Sequence, residues 1–78
     1  MDPTLIARAI GGEVARARAR WHEAARVVAM RWDVFLHADR DTRRFAFASY
    51  VAALDAEEAA AADVAGLLRR RAAFVTTG

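Results

Sequence analysis

Ile6, Ile10, Val14, Ala17, Trp21, Ala24, Val28, Trp32 and Phe35 follow one another at spacings of three and four. At the turn of an α-helix these positions fall within roughly 80° of one another, so the pattern predicts one long helix with a narrow apolar stripe. Both tryptophans lie on it. A large aromatic removes ~150–250 Å² from water when buried, so whatever covers the stripe supplies much of the stability.

Asp2-Pro3 is a suitable start for this helix. An aspartate accepts a bond from a free backbone N–H of the first turn, and proline fits the first helical position because its missing donor had no partner there. The helix is expected over about residues 3–38. Gly11-Gly12 is its weak point, at ~1 kcal/mol per glycine relative to alanine. Because Ile6 and Ile10 stay in phase with Val14 and Ala17 across the pair, a continuous helix is expected.

Ala38 to Thr42 interrupts the pattern and carries two N-cap candidates, Asp39 and Asp41, which places a turn at 39–41. Phe47, Tyr50, Leu54, Ala61, Val64, Leu68 and Val75 then resume helical spacing, predicting a second helix over about residues 42–75. Asp55-Ala56-Glu57-Glu58 has the form of a capping box, but no Pro or Gly accompanies it and an alanine run follows, so the helix should pass through. Arg69, Arg70 and Arg71 complement the dipole near its end, and Thr76-Thr77-Gly78 reads as a stop.

Two helices joined by so short a turn must pack antiparallel, with the numbers of facing residues summing to about 82. That register sets Phe35 against Phe47, Val28 against Leu54, Trp21 against Ala61 in the run Ala59 to Ala62, and Val14 against Leu68. It also brings Arg18 and Arg20 near Asp63, Arg26 near Glu57 or Glu58, and Glu13 near Arg69, and lets the Tyr50 hydroxyl reach Arg31 or Asp33. The predicted fold is all-α: residues 1–78 form a single antiparallel two-helix hairpin of coiled-coil type.

Val27, Met30 and Val34 lie away from the stripe on helix 1, and Phe45, Leu67 and Phe74 lie off the main seam of helix 2. A lone hairpin leaves such groups in water, and exposed apolar patches mark interfaces. These six residues are therefore the expected oligomer interface, closing two hairpins into a homodimeric four-helix bundle.

Composition narrows the setting. A chain of 78 residues buries a modest fraction of its surface, and with no cysteine it must rely on close packing or self-association. The lack of cysteine fits a reducing cytoplasm. No basic segment followed by an apolar core opens the chain, and the longest uncharged run, Phe45 to Leu54, has ten residues where a membrane span needs ~20. Twenty-one alanines and twelve arginines, with no Lys, Asn or Gln, are what GC-rich bacterial coding produces, so arginine content alone carries little weight.

Catalytic signals are weak. His22-Glu23-Ala24-Ala25-Arg26 follows the zinc-protease pattern H-E-x-x-H until Arg26 takes the place of the second histidine, which removes a required ligand. Asp55, Glu57, Glu58 and Asp63 lack the Glu-x-x-His pairing of carboxylate-bridged metal bundles. The only serine, Ser49, has no nucleophile signature. No enzyme, metal or cofactor is expected. The functional expectation is a small interaction or adaptor protein that associates with itself and with a partner protein. The alternative is a small nucleic-acid-binding regulator using Arg16, Arg18, Arg20, Arg69, Arg70 and Arg71, though a net charge of +2 is low for that class.

Overall fold

A computed structural model describes residues 2–77, and their side chains from Asp2 to Phe74. It consists of α1, Pro3–His37, and α2, Arg43–Thr77, joined by the turn at 38–42. The readings of Val75 as a seam side chain and Gly78 as a stop lie outside the described residues; Thr76 and Thr77 are the last two residues of α2.

Asp2 caps α1 as its chemistry requires. Its carboxylate accepts from the Thr4 N–H at 2.9 Å, and its carbonyl accepts from Leu5 and Ile6 at 3.1 and 3.2 Å. Pro3 occupies the first helical position. The helix passes through Gly11 and Gly12 without a break. At the far end Ala38 turns extended, its N–H donating to the Phe35 carbonyl at 3.2 Å. His37 sits in the last turn with Nδ1 2.8 Å from the Asp33 carbonyl.

Neither aspartate of the turn is the residue next to α2. The Thr42 carbonyl accepts the first helical bond, from Ala46 at 3.0 Å, and Asp39 supports Thr42 from three residues upstream. One Asp39 oxygen accepts both the backbone N–H and the hydroxyl of Thr42 at 2.9 Å. These bonds hold the Asp39 carboxyl below the usual aspartate range, the backbone bond contributing most. α2 then runs through Asp55 uninterrupted.

The helices lie side by side in a rod of 59 × 15 × 14 Å. Phe35 meets Phe47 with ring centroids 5.5 Å apart, Trp32 meets Tyr50 at 5.0 Å, and Arg70 reaches Glu13 at 3.9 Å. The first two contacts satisfy the sum of 82. The ion pair is one residue further on.

The core is narrower than the stripe. Among the described residues Val14, Ala17, Ala53 and Val64 are the buried apolar ones, Ala17 being 1% exposed, whereas Trp32 is 43% and Phe47 50% exposed. One neighbouring helix covers only the strip that faces it. Small side chains on that strip let the backbones approach, and large rings are left leaning outward. Trp21, expected to sit within the alanine run, is more than a third exposed and stacks on His22 at 5.9 Å.

Candidate functional site

In an antiparallel pair, side chains rotated in the same sense from the seam fall on the same face of the hairpin, because reversing the chain and reversing the seam direction cancel. Taking Val14 and Ala17 on α1, and Ala53 and Val64 on α2, as the seam, Trp32 and Leu36 lie ~30–70° to one side. Phe47 and Leu54 lie ~90–110° in the same sense, and Val51 somewhat further. All five are exposed, Leu36 by 58%. Together with the contacts of Trp32 and Phe47 to Tyr50 they form an aromatic face on the half of the rod nearest the turn. Tyr50 packs its ring there, and its hydroxyl makes no hydrogen bond to Arg31 or Asp33 among the described residues.

The other side carries the residues singled out by the sequence as an oligomer interface. Val34 and Phe45 line a shallow groove beside the turn with Arg31, His37 and Ser49. Phe45 is 73% exposed, and Met30, on the back of α1, is 52% exposed. Val27, Leu67 and Phe74 are half-buried, so the hairpin itself already covers part of each. Of the six, Met30, Val34 and Phe45 carry most of the open apolar surface.

A second shallow groove, toward the open end of this face, holds Arg16, Arg20 and Arg70 against Glu13 and Asp63. This corrects the sequence-based grouping. Residues two apart on a helix point ~160° away from each other, so Arg18 falls on the opposite side from Arg16 and Arg20, and among the described residues it makes no ion pair with Asp63. By the same rotation only Arg70 of the run Arg69, Arg70, Arg71 lines the groove. Arg26 bonds Glu23 on its own helix, at 3.0 and 3.3 Å, rather than Glu57 or Glu58. The partner of Glu13 is Arg70, not Arg69.

Three arginines facing two carboxylates make a mixed surface, on which a phosphate gains from the guanidinium groups and loses to the acids. Among the described residues no three side chains of His, Asp or Glu are placed to hold a metal ion. No described helix is long and apolar enough to cross a membrane. Comparison with known protein families, with curated proteins and with solved structures finds no match.

Proposed function

We propose that this chain is a small non-enzymatic interaction protein, a helical hairpin that associates with a second copy into a four-helix bundle and presents the assembled surface to another protein. The observation that carries this reading is surface area. A compact monomer of this mass exposes ~4,700 Å². The hairpin exposes 5975 Å². The excess is larger than the ~800 Å² that each partner contributes to a standard interface. The radius of gyration points the same way, at 17.7 Å against ~11.5 Å for a compact chain of this length.

Self-association uses apolar side chains that have no cover within one hairpin, while the polar backbone is satisfied inside each helix. Light scattering on the eluting protein over a concentration series tests it. The expected mass is roughly twice 8.6 kDa, falling toward the monomer on dilution. A mass of 8.6 kDa at every concentration overturns the reading.

A further inference from the structure

Arg43, Phe47, Val51, Leu54 and Glu58 form one strip along α2, spaced by fours and a three, on the aromatic face of the hairpin. Its ends carry opposite charges and its middle is apolar. Arg43 and Glu58 are both exposed, and among the described residues neither has an ion-pair partner within the hairpin.

A strip of this kind is complementary to itself when reversed. Resting on the self-association reading, we infer that two copies dock through it, α2 antiparallel on α2, with facing residues summing to about 101. The two-fold axis then passes between Tyr50 and Val51. Phe47 meets Leu54 of the partner subunit, Val51 lies at the axis, and Arg43 meets Glu58 of the partner subunit at both ends. Trp32 is level with the axis on α1 and widens the contact, with Leu36 beyond it. The opposite face mixes charges of both signs into its grooves. Val34 and Phe45 share the groove by the turn with Arg31, His37, Asp33 and Asp39, and the far half carries the arginines and carboxylates of the second groove.

This register fixes the shape of the dimer. The axis lies toward the turn end of each rod, so only the turn halves overlap and form two layers of two helices. The open ends point away from each other. At 1.5 Å per residue the dimer is ~85–90 Å long, whereas two fully overlapped hairpins keep the 59 Å of one.

Charge reversal tests the pairing. Arg43→Glu places two carboxylates at each end of the strip, and Glu58→Arg places two guanidinium groups there. Each variant should dimerise about tenfold more weakly than the parent at low salt. An equimolar mixture of the two variants restores both ion pairs and should recover the parent affinity, as should the double variant. Helicity by circular dichroism accompanies each, and small-angle scattering of the parent reads the length without any substitution.

Single variants that dimerise like the parent, or a parent dimer ~60 Å long, overturn this register while leaving self-association standing. A parent that stays monomeric overturns both. Loss of association in the singles, recovery in the mixture and a length near 90 Å establish the register.

Discussion

Gly11→Ala should stabilise the hairpin, and the reason is visible at the site. A Cβ built on Gly11 meets no heavy atom within 4 Å, and the residue sits inside a continuous α1. The substitution therefore adds no clash and removes the backbone freedom that glycine loses on folding, a gain of ~1 kcal/mol. With an unfolding entropy of ~2.1 cal/mol/K per residue, the chain has ~160 cal/mol/K in total, so that gain raises Tm by ~6 °C. The assay is thermal unfolding followed by circular dichroism at fixed protein concentration, since association makes Tm depend on concentration. Ala9→Gly, at an exposed position of the same helix, should lower Tm by a similar amount. An unchanged Tm for both variants would refute the argument, because it would mean that the turns before Val14 are not helical when the rest of the hairpin unfolds.

Other outcomes follow from the same structure. Val64→Ala removes two methyl groups from a buried contact and should cost ~1.5–2.5 kcal/mol in denaturant unfolding, whereas Glu13→Gln, at an exposed 3.9 Å ion pair, should change stability by less than ~0.5 kcal/mol. Asp39 has a folded pKa below its unfolded one, so its contribution is present above the unfolded value and is lost as pH falls through the folded value. Asp39→Ala should thus be less stable than the parent at neutral pH, and the difference should shrink in acid; a gap that persists at low pH would assign the effect to something other than the carboxylate. Duplex DNA should give no gel shift at moderate salt, because Glu13 and Asp63 share the groove with Arg16, Arg20 and Arg70. A shift abolished by replacing Arg69, Arg70 and Arg71 with alanine would favour the nucleic-acid alternative instead.

Much of the architecture was legible in the residue order because it depends on local chemistry. Asp2-Pro3 offers a cap and a first helical position through local chemistry, the period of the stripe specifies one continuous helix, and a short polar turn leaves antiparallel packing as the only arrangement. The contact of Phe35 with Phe47 follows from that arithmetic. The function did not follow, since neither periodicity nor composition encodes a partner.

What only the tertiary structure decided is how much of the stripe one neighbour can cover and which charges of the two helices share a groove. Periodicity gives the direction of a face but not the width of the contact. In a pair only 14–15 Å across, each helix covers just the strip that faces it, so Ala17 and Ala53 are enclosed while Trp32, Phe47 and Leu54 stay open and part of the stripe lies outside the core. Runs such as Arg16, Arg18, Arg20 look like one cluster along the chain, yet the 100° turn per residue distributes them to opposite sides of the rod. The residues left open by that geometry, more than those the spacing had set aside, make up the surface on which a second copy is expected.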